Sequence, residues 1–573
     1  MAACSAEPAP SVSPPVEPIE KEPVAYTLAL EDPWTTLRAI WLPTQGSSDV
    51  SAKIHAGELR IEHLERYADY GLDNLQLGDG EPHQRYVYFG AETAPVDIAQ
   101  RRSLAYFAQL SDFQITDQES PVRLEGVTKF AYASAYRPQD HLSTQLVDAL
   151  LQSVNAFSFA DRPLDFLFIT GDLADNAQEN ETWWVIQLMD GGVVWPDSGI
   201  IDDPIPGSGN DFTDPFLAAG LDPRVPWYVI LGNHDQSHLG TFNPTPRVQA
   251  AAVGNEIIDL WNLSALSNGD MTFGVRDASR PFAPVVRSGH VHPDPQRRIL
   301  TIPEIMAMYL TSPTLPAGHG FTAEATEKGI ASYVAQPVED FPLQLLAIDT
   351  NMEMIVDAQG NITQHASSAG QILRDVWEDI VLPALADAKA NDQFVIIGSH
   401  HCTHDMLNSD GAIDPVDIRK TFAEYPNILG HFCGHGHRTD KWLWNEDGKA
   451  WQEGDGHGYV ELMSPSGIDF PVQGRLLELV DNDNGTLSIF TTQVEPNLEP
   501  GSLAYDALTY SAATGNFPIY TIHRRDRWNE GKASRNMELV IPLPAGFETV
   551  VADLRTRSET KAFAIESLGR LGE

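Results

Sequence analysis

Long hydrophobic runs are missing from this sequence. The longest, WYVILG and FVIIG, fall far short of the ~20 apolar residues that cross a bilayer, so no segment is expected to span a membrane. Basic residues are scarce too: 37 Lys and Arg stand against 80 Asp and Glu, a formal net charge of −43. Tight non-specific binding to phosphate backbones rests on Lys and Arg, so nucleic acid is not an expected partner. The same acidity keeps a protein soluble at raised ionic strength, in keeping with a saline or extracytoplasmic setting. Disorder of the whole chain is excluded by its 42% hydrophobic and 20% charged residues. At 573 residues, roughly two to four folding units are expected.

Cysteine is nearly absent: Cys4, Cys402 and Cys433 are the full set. Cys4 lies in AACSAEPAPSVSPPVEPIEKEP, where Ala-Ala-Cys-Ser precedes a Pro- and Ser-rich tract. This resembles the end of a bacterial lipoprotein signal, with the preceding apolar stretch removed and replaced by a start Met. Residues 1–25 are therefore expected to be a disordered tether lipidated at Cys4, on a protein exported to the periplasm or cell surface. A disordered terminus with a chance cysteine is the alternative.

Residues 26–102 mix short alternating stretches with turns, as in LRAIWLP and HQRYVYFGAE, and are expected to form a β-rich segment. Across 103–480, apolar strands (LAYFAQLS, LDFLFIT, VPWYVILG, FPLQLLAIDT, FVIIGS, NILGHFCG) alternate with helical periods (TQLVDALLQSVNAF, NETWWVIQLMD, GQILRDVWEDIVLPALADAKAN). That alternation argues an α/β core. A Gly- and Pro-bearing stretch from about 238 to 341 interrupts it as an insert that covers or flanks a site. GRLLELVDNDNGTLSIFTTQ carries a hairpin signal at Asn-Gly. Residues 481–573, with MELVIPLP and ETVVADLR, are expected to be a β-rich C-terminal region.

The core strands share one property: each runs into polar residues. LAYFAQLS stops at Asp112, LDFLFIT at Gly171-Asp172, VPWYVILG at Gly232-Asn233-His234-Asp235, FVIIGS at His400-His401, and NILGHFC at Gly434-His435-Gly436-His437. Ligands in open α/β sheets gather outside the carboxyl ends of strands, so these tips are expected to converge. Acids, an amide and imidazoles together form a mixed N/O donor set suited to first-row divalent metals. Singly, each motif reads equally well as a turn or a solvated loop.

In their order these motifs resemble the calcineurin-like metallophosphoesterases, whose pattern runs D-x-H, G-D, G-N-H-D/E, a His after an apolar strand, and G-H-x-H. The neighbourhoods SDFQITDQESPVR, YRPQ, RPLDFLFITGDLADNAQENETWW and MDGG further resemble an exported bacterial branch with long inserts. The resemblance implies a four-layer α/β/β/α sandwich carrying two divalent or trivalent metal ions (Mn, Fe or Zn). It implies Asp112, Gln114, Asp172 and His437 at the first ion, and Asp172, Asn233, His400 and His435 at the second. The activity implied is hydrolysis of a small-molecule phosphate ester by a metal-bridging hydroxide, with His234 contacting the phosphate and acting as general acid. Asp235 would hold the second nitrogen of His234, or else cap the next helix. Rival expectations are a phosphodiesterase for nucleotide or lipid head-group diesters, and a non-catalytic surface binding protein on this fold.

Gln114 departs from the family's histidine. Either it ligates directly, as a weaker and harder donor favouring Mn or Fe over Zn, or it hydrogen-bonds a metal-bound water. Arg123 and His238 are weaker candidates for substrate contact. Cys402 and Cys433 flank the strands leading to His400 and His435, which leaves three options: a disulfide, two buried thiols, or a zinc site with His404 and His431.

Overall fold

The structure, a computed structural model, describes residues 34–44, 46–95, 101–123, 135–199, 214–255, 258–260, 273–275, 291–356, 362–496, 498–517, 531–556 and 563–564. The principal strands are β1 (Trp34–Thr35), β2 (Gln84–Val87), β3 (Arg102–Leu110), β4 (Phe166–Thr170), β5 (Trp227–Ile230), β6 (Tyr333–Ala335) and β7 (Leu343–Ile348). They continue with β8 (Phe394–Ser399), β9 (Ile428–Cys433), β10 (Asp440–Asn445), β11 (Gly458–Met463), β12 (Gly474–Asp481), β13 (Thr486–Glu495) and β14 (Met537–Pro542). The helices used below are α1 (Ser143–Ala156), α2 (Glu179–Asp190), α3 (Ile302–Tyr309), α4 (Leu382–Ala390), α5 (Pro415–Ala423) and α6 (Leu503–Thr514).

Two sheets result. The first runs β2-β14-β13-β12-β3-β4-β5, with β1 added to β13; the second runs β6-β7-β8-β9-β11-β10. Their inner faces meet. The Phe107 and Phe168 rings of the first sheet lie 6.4 and 5.9 Å from Phe432 of the second, both edge to face. Strand periodicity divides the second sheet's side chains between two cores. Leu343, Leu345 and Ile396 pack into the seam between the sheets, while Leu346, Ile348, Val395 and Ile397 face helices α4 and α5 on the outer side. On the outside of the first sheet, α1 places Val147, Leu150, Leu151 and Val154 at i, i+3, i+4 and i+7 against the strands. Helix, sheet, sheet and helix are thus stacked as the α/β/β/α sandwich expected.

The C-terminal region differs from the β-rich expectation. Strands β13 and β14 are built into the first sheet, and ETVVADLR lies within a helix, Glu548–Thr556. Between β13 and β14, α6 packs Ala504, Tyr505, Ala507 and Leu508 against Leu146 and Ala149, the second face of α1. The N-terminal segment is likewise mixed, with a helix at Val50–His55 beside short strands. Part of the 238–341 insert also belongs to the core. Helix α3 starts at a Thr301/Glu304 capping box and buries Ile305, Met306 and Tyr309 in the inter-sheet cluster. Arg297, fully buried, pins the insert by donating to Asp117 Oδ2 at 3.0 Å.

Candidate metal centre

Strands β3, β4 and β5 are mutually parallel, as are β7, β8 and β9, so their carboxyl ends open on one edge of the sandwich. Backbone bonds then lace the tips together. Asp112 N donates to Gly171 O at 2.9 Å, Gln114 N to Asp172 O at 2.8 Å, and Gly434 N to His400 O at 2.9 Å. The turns are sharp: Asp112, Gln114, Asp172, His435 and His437 all hold positive φ, between 42° and 67°. Side chains other than glycine adopt that region at a cost, which functional sites sustain through surrounding contacts. Glycine neighbours are required by proximity. A Cβ at Gly232 would fall 2.2 Å from Asp172 Oδ1, and one at Gly434 2.0 Å from Ser111 Oγ.

The side chains converge accordingly. His400 Nε2 lies 3.2 Å from Asp172 Oδ2, and His437 Nε2 lies 3.1 Å from Asp112 Oδ1. Donor atoms of Asp112, Asp172 and His400 all lie within 4.8 Å of one another. The His435 ring is 5.2 Å from that of His400, centroid to centroid. Two of these imidazoles are held by the other nitrogen: His400 Nδ1 by Thr170 O at 2.7 Å, and His437 Nδ1 by Asp469 Oδ2 at 2.6 Å. Such anchoring fixes the tautomer and presents Nε2 as a ligand. Asn233 is oriented in the same way, its Nδ2 donating to Gly240 O at 3.0 Å.

Asn233 Oδ1 is left buried without a hydrogen-bond partner, and His400 Nε2 faces the Asp172 carboxylate at 3.2 Å. An orphaned buried acceptor is costly, and a cation would satisfy it. Without one, protons take its place. Burial opposes charging His400 and His437, but Asp172 raises the first to about 9, and Asp112 with Asp469 raises the second to about 10. Asp172 is disfavoured as a charge by burial, yet the His400 and His234 imidazoles hold it well below the usual carboxylate range. The donor set fits a pair of metal ions.

A model of the calcineurin-like phosphoesterase family matches residues 107–307, a span that contains Asp112, Asp172, Asn233 and His234. That span belongs to the calcineurin-like phosphoesterase family. The match points to a metal-dependent hydrolase of phosphoric esters, and the Asp112, Asp172 and His400 cluster could hold metal. Similar solved structures include a dimetal phosphatase from Danio rerio, at 11% identity and TM-score 0.34, covering 69% of this chain and 100% of that one. A purple acid phosphatase from yellow lupin, Lupinus luteus, is 10% identical at TM-score 0.30, covering 70% of this chain and 52% of its own. A putative 5'-nucleotidase from Staphylococcus aureus is 12% identical at TM-score 0.29, with 69% and 54% covered. The chain thus spans about half the length of the last two. No curated protein sequence matches it.

Within this phosphoesterase, several side chains do other work than expected. His234 Nδ1 meets the carbonyl oxygen of Asp175 at 2.8 Å and its Oδ1 at 3.2 Å, so Asp175, not Asp235, orients the ring. Asp235 instead accepts from the backbone N–H groups of Gly232, Leu173 and Ala174, tying the two loops together. Arg123 is buried at 1% exposure in an ion pair with Asp140. His238, equally buried, contacts Val122 O. Gln114 turns its oxygen to Arg137 and its Nε2 to Asp172 Oδ2 at 3.1 Å, so no oxygen of Gln114 is presented to a cation. Cys402 and Cys433 form a disulfide with Cα atoms 5.3 Å apart, which removes both sulfurs from any zinc site. His431 bridges Ser399 and Glu461 instead. Asp175, Asp469 and Arg137 were missed as site residues. YRPQ, which contains Arg137, was the one local signal for the third of these. Cys4 lies outside the described residues.

Proposed function

We propose that the phosphoesterase cleaves a small-molecule phosphate ester at a two-metal centre, with Asp172 shared between the ions. Asp112 and His437 would complete the first subsite, and Asn233, His400 and His435 the second. The observation that carries this reading is the partnerless buried Asn233 Oδ1, together with the contact of His400 Nε2 on the Asp172 carboxylate. When bound, the metal pair supplies Lewis acidity toward a phosphoryl oxygen and a water nucleophile at neutral pH.

The chain's own groups handle the departing proton. A carbonyl only accepts, so His234 donates Nδ1–H to Asp175 O, leaving Nε2 as the atom that delivers a proton to the leaving oxygen. Burial disfavours the charged ring, while Asp172 and Asp175 favour it, and the pKa is raised. The disulfide supports an oxidising, extracytoplasmic location, with Cys4 as the proposed lipid attachment point.

The test is turnover of an aryl phosphate monoester and the matching diester on one Mn²⁺-loaded sample. His234→Asn is expected to lower kcat about 10²- to 10⁴-fold with metal content unchanged. Turnover that survives the substitution would remove His234 from the mechanism. No turnover of either ester in metal-saturated protein would favour a binding protein.

A further inference from the structure

Arg137 is a fully charged side chain at 1% exposure, under the metal centre, and the chemistry described above does not use it. Its guanidinium reaches four residues around the site at once. Nη2 donates to Gln114 Oε1, Nε lies 3.2 Å from Asp469, and Nη1 is 3.7 Å from both Asp140 and Asp175. Asp469 is the carboxylate that holds His437, and Asp175 the one that holds His234. Gln139, two residues on, also donates to Asp469, at 2.9 Å. The YRPQ segment is therefore a clamp beneath both imidazoles.

The orientation of Gln114 follows from donor chemistry alone. A guanidinium has no acceptor, so the amide atom facing Arg137 must be oxygen. Asp172 Oδ2 accepts at 3.1 Å, so the amide atom facing it is the NH2 group. Both ends agree, and the alternative amide orientation would break two contacts inside a buried site. A metal needs the oxygen, which Arg137 already holds. The guanidinium charge is balanced by Asp140, Asp175 and Asp469, so the withheld oxygen, more than repulsion, is what the first subsite feels.

We propose that Arg137 is a positioning residue that takes Gln114 out of the metal shell, making the two subsites unequal, with the one at Asp112 and His437 the weaker. This rests on the two-metal reading above. The test is Mn²⁺ titration of the full chain, followed by calorimetry and by electron paramagnetic resonance, which separates isolated from coupled ions. The wild type is expected to fill in two steps with dissociation constants at least tenfold apart. Asp112→Asn should abolish the weaker step and Asn233→Ala the tighter. Gln114→Ala should leave both constants within about threefold, because no ligand is lost, with circular dichroism confirming the fold. A loss of tenfold or more in the weaker step of Gln114→Ala, or two equal tight steps in the wild type, would overturn the inference while leaving the two-metal reading intact. Failure to bind any Mn²⁺ would overturn both.

Discussion

At Gly240 the backbone lies against two side chains on which the chemistry depends. Its φ is +61°, and a Cβ there would sit 2.3 Å from Asn233 Nδ2 and 2.6 Å from His234 Nε2. Gly240→Ala would therefore strain the loop and displace both the ligand and the proposed acid. Misplacement by about 1 Å can cost on the order of 10²-fold in rate. A fall in kcat of at least about tenfold is expected, with the melting temperature little changed, and steady-state kinetics beside a thermal melt would check it; full activity would mean His234 Nε2 does not face the reaction. The meeting of polar side chains at strand ends was legible because each follows an apolar run, and such runs are visible in the text of the chain. Their supporting residues were not. Arg137 and Asp469 are 332 positions apart, and Asp175 lies 59 before His234, so no local spacing links them. Adjacency instead suggested Asp235 for the role Asp175 fills, because the short helix Asn233–Gln236 turns Asp235 back onto Gly232.

Among the elements, β8 and β9 carry the largest share of the second subsite, and the disulfide ties their ends one residue beyond His400–His401 and immediately before Gly434. A bridge closing a separation of 31 residues contributes about 3 to 4 kcal/mol by loop entropy. Cys402→Ala is expected to lower stability by up to that amount and to weaken metal binding at His400 and His435, while leaving the Asp112 subsite unaffected. Denaturant melts and metal titration in parallel measure the two effects; unchanged metal affinity would show that the strands are held by their ladder alone. Strands β3, β4, β5, β7, β8 and β9 were readable from apolar runs bounded by turn residues. Helix α6 was not. Its sequence, LAYDALTYSAAT, buries small residues nearly all round because α1 lies close on one side, which leaves little apolar period to read.

For the molecule as a whole, acid is the condition that should tell most. Burial pulls the His238 and His319 rings down to about 4, and both are fully enclosed, His319 stacked 3.5 Å from the Trp227 ring centroid. Unfolded, such rings titrate near 6.5. Between those values the unfolded chain binds protons that the folded one refuses, so their contribution is whole above about pH 6.5 and is lost as pH falls toward 4. These two rings alone contribute a slope of up to about 2.7 kcal/mol per pH unit in that window, opposed by the Asp148 and Glu495 carboxyls, which burial raises to about 6 and about 8. Denaturant melts at pH 7, 6 and 5 measure it, and His319→Gln is expected to remove about half; an unaltered slope would place the proton elsewhere.

The donors divide evenly across the seam: Asp112, Asp172 and Asn233 follow strands of one sheet, while His400, His435 and His437 follow strands of the other. The ions would therefore act as rivets between two half-molecules, neither of which owns a binding site. Any motion that slides one layer over its neighbour also pulls the centre apart, so the grip on metal would serve as a gauge of how firmly the halves are joined.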